Sequence, residues 1–202
     1  MKKVFLFIPA FLIFSFTSPN DTISKKEKKF AEKFLKDTED GVFKAVKGLS
    51  DGQLKFKPAP DRWSVEECVK HIAITENALW NMTSATINQT PNPEKRTDIK
   101  ATDDQVIRKV EDRSTKVKTF DPLKPENTPY KSLSEALDSF KTARARLIDY
   151  VKKTNDDLRN HVAVLPIATF DCYQMILFIG AHSNRHTQQI EEVKADPNFP
   201  KN

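Results

Sequence analysis

Glycine is scarce in this chain, 4 residues in 202, and β-branched residues seldom alternate with polar ones. Sandwiches and barrels need frequent turns and period-two apolar runs, so an all-β fold is excluded. Beyond Phe16 no stretch stays apolar long enough to cross a bilayer. No basic stripe is interleaved with aromatics, and no nucleic-acid partner is expected. There is no internal repeat and no low-complexity tract. The net charge of +5 comes from basic residues scattered among acids, as in Lys25-Lys26-Glu27-Lys28-Lys29 and Glu191-Glu192-Val193-Lys194. Such mixtures mark solvated helix faces.

The start of the chain is different in kind. Lys2 and Lys3 form a positive head, and Val4 to Phe16 is apolar apart from Pro9 and Ser15. Ser15-Phe16-Thr17 then offers small residues at the spacing of a cleavage site. Residues 1–17 therefore read as a secretory signal peptide, too short for a membrane span. The alternative is a retained amphipathic or membrane anchor. No cysteine near the cleavage point supports a lipoprotein anchor. The expected mature protein is exported, periplasmic or extracellular, with no stable membrane anchor.

What the remainder has in abundance is helical spacing. A first helix is expected from about Thr22 or Ser24 to Val46, with Phe30, Phe34, Leu35, Val42 and Val46 inward. Gly48, Gly52, Pro58 and Pro60 break the pattern. Ser64 with Glu67 forms a capping box that opens a second helix. This helix reaches Gln89 with the stripe Cys68, His71, Ile72, Thr75, Leu79 and Met82. A long polar connection to Ser132 holds a short helix from Asp103 to about Lys118. A third helix starts at Ser132 or Ser134, ends near Thr154, and turns Leu133, Leu137, Phe140, Leu147 and Val151 inward. Asp157 to Phe170 reads as a loop. Asp171 caps a fourth helix carrying Met175, Phe178, Ile179, His182, His186, Gln189 and Val193, which Asp196-Pro197 stops. The sum is an all-α fold over residues 22–196. It is a four-helix bundle whose long crossover between helices two and three lets helix three run parallel to helix two.

Chemistry concentrates in three histidines. His182 and His186, four residues apart, lie one above the other on one helix face. Both continue an apolar stripe, as does His71 on the second helix. A buried imidazole needs partners for both nitrogens, and a divalent metal would satisfy three at once. A lone inward histidine is as readily a hydrogen-bonded core residue, and H-x-x-x-H alone leaves both readings open. The run is not H-E-x-x-H, because Ser183 stands where a zinc peptidase has its glutamate. Zn²⁺ is the first expectation for three imidazoles, with Ni²⁺ and Fe²⁺ as alternatives.

Candidate groups supporting the ligands are Gln189 one turn after His186, Glu67 one turn before His71, and Thr75 one turn after it. Glu67 also has its capping role. Arg185 is placed either to meet an anionic substrate group or to make a bundle-edge ion pair. His161 is expected at the surface. Trp63 is expected to pack at the start of the second helix, with a partner for its N–H. If the histidines share a metal, Cys68 and Cys172 are offset by at least about 10 Å along the bundle, beyond disulfide reach. Both read instead as small buried residues.

Two stretches carry a family resemblance. Phe56-Lys57-Pro58-Ala59-Pro60-Asp61-Arg62-Trp63-Ser64-Val65-Glu66-Glu67-Cys68-Val69-Lys70-His71-Ile72 resembles the signature of DinB-like proteins. So does Ala181-His182-Ser183-Asn184-Arg185-His186-Thr187-Gln188-Gln189-Ile190-Glu191-Glu192. The likeness in layout runs from about Ser24 to Lys194. It implies a four-helix bundle that binds a divalent metal through His71, His182 and His186. Some related proteins are metal-dependent S-transferases that use low-molecular-weight thiols such as bacillithiol, and others are assigned as hydrolases. The expected partner is accordingly a small-molecule substrate, a thiol among the candidates, and a homodimer is an allowed assembly. A non-catalytic metal-binding or stress-related protein on the same scaffold is the alternative. The export signal departs from the commonest family pattern.

Exported material should begin after about Thr17. N-terminal sequencing that still returned Met1 would refute the signal-peptide reading.

Overall fold

Short polar side chains start the helices. Ser24, Ser50, Ser64 and Thr102 each accept a hydrogen bond from the backbone three residues on, where Glu27, Gln53, Glu67 and Gln105 reach back to close a capping box. Ser132 and Asp171 cap two more helices. The computed structural model describes residues 23–201, so the signal-peptide segment lies outside the described residues. The helices so begun are α1 (Lys25–Val46), α2 (Asp51–Lys55), α3 (Val65–Ile87), α4 (Asp103–Glu111), α5 (Leu133–Lys153) and α6 (Cys172–Lys194). A small antiparallel hairpin, β1 (Val162–Val164) with β2 (Thr169–Asp171), pairs Ala163 with Phe170.

Helices α1, α3, α5 and α6 form the four-helix bundle, α1 and α3 each packing on both α5 and α6. Contacts fix the directions. Asn77 meets Ser139 and Trp80 meets Tyr150, so α3 and α5 run parallel. The Tyr173 hydroxyl donates to the Glu27 carbonyl, and the Lys194 ammonium reaches the Ala45 carbonyl, so α1 and α6 are also parallel. His71 faces His182 while Cys172 lies by Thr83, so α3 and α6 are antiparallel. The crossover from Asn88 to Ser132 carries α4, which packs on α6, and three short 3₁₀ turns. Cys68 and Cys172 are both buried and free.

At Gly180 the α1–α6 contact is close. A Cβ there would sit 2.8 Å from a ring carbon of Phe34, so any larger residue would require that partly exposed ring to move.

At mid-bundle a charged group holds all four helices. Arg144 of α5 is fully buried. Its Nε and Nη2 donate to the two carboxylate oxygens of Glu76 on α3 at 2.6 and 2.8 Å. Its Nη1 reaches the Leu35 carbonyl and Thr38 Oγ1 of α1, each at 2.7 Å. Nη2 also reaches Ser183 Oγ of α6 at 2.9 Å. A guanidinium has five N–H donors, and all of them find acceptors. At the hairpin end Arg159 plays a similar part, bonding Glu27, Asp103 and Asp171 while lying over the Tyr173 ring.

Several expectations need correction. Phe30 and Met82 are exposed, at 45% and 41%, because the apolar stripes on α1 and α3 are broader than the surface covered by neighbours. The short crossover helix stops at Glu111, where Asp112 takes extended dihedrals. The Asp157–Phe170 loop contains β1 and the start of β2. α2 was unexpected, since the glycines and prolines around it mask its single turn.

Glu76→Ala would strand a buried guanidinium and should destabilise the fold by about 3–5 kcal/mol. Lys33→Ala removes one side of an exposed α1 pair with Asp37 and should cost less than about 1 kcal/mol. Urea unfolding that ranked the two variants alike would contradict the role given to Arg144.

Candidate metal centre

Because α3 and α6 are antiparallel, the first half of α3 lies against the second half of α6. There His71 meets His182 and His186. One ring nitrogen from each lies within 4.8 Å of the others. His71 Nε2 is 3.2 Å from His182 Nε2, and the ring centroids are 5.0, 4.4 and 4.6 Å apart. No carboxylate or thiol joins the cluster among the described residues.

Two of the three outer nitrogens are held by acceptors. His71 Nδ1 lies 2.7 Å from the Leu123 carbonyl, with Thr75 Oγ1 more distant at 3.4 Å. A carbonyl only accepts, so the proton sits on Nδ1 and the Nε2 lone pair faces the cluster. His186 Nδ1 lies 2.9 Å from Gln189 Oε1, with the same consequence. An amide can flip, but Arg113 Nη1 also donates to Gln189 Oε1 at 3.4 Å, and two donors hold the oxygen in place. Arg113 is itself fixed on Glu192, by contacts of 3.0 and 2.6 Å. Carbonyl acceptors behind imidazoles are how metal-ligating histidines are oriented.

All three rings are held neutral. Burial pushes His71 down to about 4, with the Leu123 hydrogen bond opposing it. Burial pushes His182 well below the usual range, helped by His71, Arg185 and Arg144. For His186 burial is again the main cause, with His182 and His71 adding to it and Gln189 opposing.

Trp63 covers the cluster from the loop before α3, its ring 4.8 Å from His71 and 5.9 Å from His186. It is only partly buried, and no protein group among the described residues accepts from its N–H. Beyond Trp63 and Gln189 opens a cleft of about 430 Å³.

The other candidate residues sit elsewhere. Glu67 closes the α3 capping box and pairs with Lys57. Arg185 binds backbone carbonyls of the crossover, at Val110, Asp112 and Thr115, so it secures that segment, and among the described residues it makes no bundle-edge ion pair. His161 is buried, bonded to the Asp157 and Gln89 carbonyls, where a surface position was expected. Leu123 and Arg113 were missed. Leu123 contributes only backbone, and Arg113 lay inside the expected helix to Lys118.

The family model of the DinB superfamily matches residues 35–190. The uncharacterized protein YuaE of Bacillus subtilis (strain 168) is 27% identical over 152 residues, 74% of this chain and 88% of that protein. The solved structure of YfiT from Bacillus subtilis superposes with a TM-score of 0.60 at 15% identity, covering 89% of this chain and 92% of that one. YfiT is described as a probable metal-dependent hydrolase with an unusual four-helix bundle topology.

The depressed histidines set a pH dependence. Between about pH 6.5 and 4 an unfolded chain takes up protons that the folded His71 refuses, and His182 and His186 act in the same direction. Stability of the metal-free protein should be full above pH 6.5 and fall as the pH drops through this window. Urea midpoints measured in chelator should show that decline, and His182→Asn should flatten it. Midpoints constant from pH 7 to 5 would refute the prediction.

Proposed function

The chain belongs to the DinB superfamily, and from that premise we propose that it is a metal-dependent enzyme whose ion is held by His71, His182 and His186. One observation carries the reading: three neutral imidazoles converge with no fourth protein ligand among the described residues. A structural zinc site is normally closed by four protein ligands, whereas a catalytic one keeps a position open. Zn²⁺ fits the donor set first, with Ni²⁺ or Fe²⁺ as alternatives.

When bound, the ion supplies Lewis acidity that turns a weakly acidic water or small thiol into a nucleophile at neutral pH. The chain's own groups do the positioning. The Leu123 carbonyl, and Gln189 backed by Arg113, hold two imidazoles by their outer nitrogens. Trp63 shields one side of the cluster from bulk water. Ser183 is turned away into the Arg144 network and is no general base.

Two arms of the reading differ in the nucleophile. Hydrolysis is supported by the description of YfiT. Transfer to a small thiol is supported by the lack, among the described residues, of a carboxylate in the cluster that could serve as base to a water. The cleft beside Trp63 and Gln189 gives room for a small molecule next to the cluster, although no histidine lines it. We also read the protein as exported, on its first 17 residues.

The purified protein should hold about one metal ion per chain by elemental analysis. His182→Ala should lose both metal and turnover while keeping the helical circular-dichroism signal, because the bundle rests on its core. Metal-loaded protein inactive on esters, amides and thiol–electrophile pairs would leave a non-catalytic metal-binding role. Protein that took up no metal would overturn the reading.

A further inference from the structure

We propose that the cleft beside Trp63 binds small zwitterions, molecules that carry both an ammonium and a carboxylate group, as a short peptide does. That these are substrates of the three-histidine site rests on the function proposed above. The binding site itself does not.

The cleft shares two walls with the histidine cluster: Trp63, whose ring lies against His71 and His186, and Gln189, which accepts from His186. A molecule lodged there stands one side chain away from the converging nitrogens. The volume of about 430 Å³ falls in the range of small-molecule pockets, roughly 300–1,000 Å³.

The cleft wall carries two cations, Arg62 and Lys116, and two acids, Asp61 and Asp196. None of the four makes an ion pair among the described residues. A third acid on the wall, Glu192, is already paired with Arg113. The four come from three separate segments: the loop before α3, the crossover, and the end of α6. A polyanion would meet the acids, and a simple cation would meet Arg62 and Lys116. A ligand with one charge of each sign complements both sets.

Trp63 is partly exposed on the cleft side. The ring offers apolar contact to the body or side chain of the ligand.

Calorimetric titration with alanyl-phenylalanine tests the proposal, alongside its N-acetyl and C-amide forms, on metal-free and zinc-loaded protein. The free dipeptide should bind, and each capping group should weaken it about five- to tenfold, the scale of one ordinary net hydrogen bond. In a double variant Arg62→Ala, Lys116→Ala, amidation should no longer matter while acetylation still does. In Asp61→Asn, Asp196→Asn the pattern should reverse. No measurable binding, or binding indifferent to both caps, overturns the site. The same discrimination in a protein that takes up no metal upholds the cleft and sinks the metal reading. Stoichiometric metal without dipeptide discrimination sinks the zwitterion site alone.

Discussion

The arrangement depends on a single guanidinium. Arg144 places a full charge where water does not reach, and that is tolerable only because every N–H meets an acceptor. The acceptors come from α1, α3 and α6, so the network sets how those helices are rotated as well as how near they lie. Successive helical residues are about 100° apart around the axis. With Ser183 drawn toward Arg144, its neighbour His182 is turned toward α3 and His71. The geometry of the candidate metal centre is thus fixed in part from within the core.

Much of this was legible in the sequence. The capping box at Ser64 and the cap at Asp171 announce where two bundle helices begin, because the side chains that satisfy free N–H groups are local. The histidines were legible because they interrupt apolar stripes at helical spacing. Glu76 and Arg144 were not. In a one-dimensional pattern a charged residue reads as solvent-facing, and only a partner 68 positions away reverses that. The Leu123 carbonyl was invisible for another reason: every residue has one, and nothing in a side chain says which will be used.

The crossover is an integral part of the site. It supplies the acceptor for His71 through Leu123 and the guanidinium that steadies Gln189 through Arg113. Arg185, between the two α6 histidines, grips three of its carbonyls. Lys116, on the cleft wall, stands on the same segment. Arginine is used throughout as a planar, multi-donor clasp: on carboxylates at Arg144 and Arg159, and on backbone at Arg185.

That His71 is oriented by a main-chain oxygen has a consequence for how such a chain can diverge. Position 123 can change its side chain freely, since any residue but one with an altered backbone path presents the same carbonyl. The count of residues between Thr115, clasped by Arg185, and Leu123 cannot change so easily, because an insertion would carry the oxygen away from the imidazole. Over evolutionary time this stretch should therefore keep its length while losing its letters, and length, more than identity, would be the mark by which its role is recognised in distant relatives.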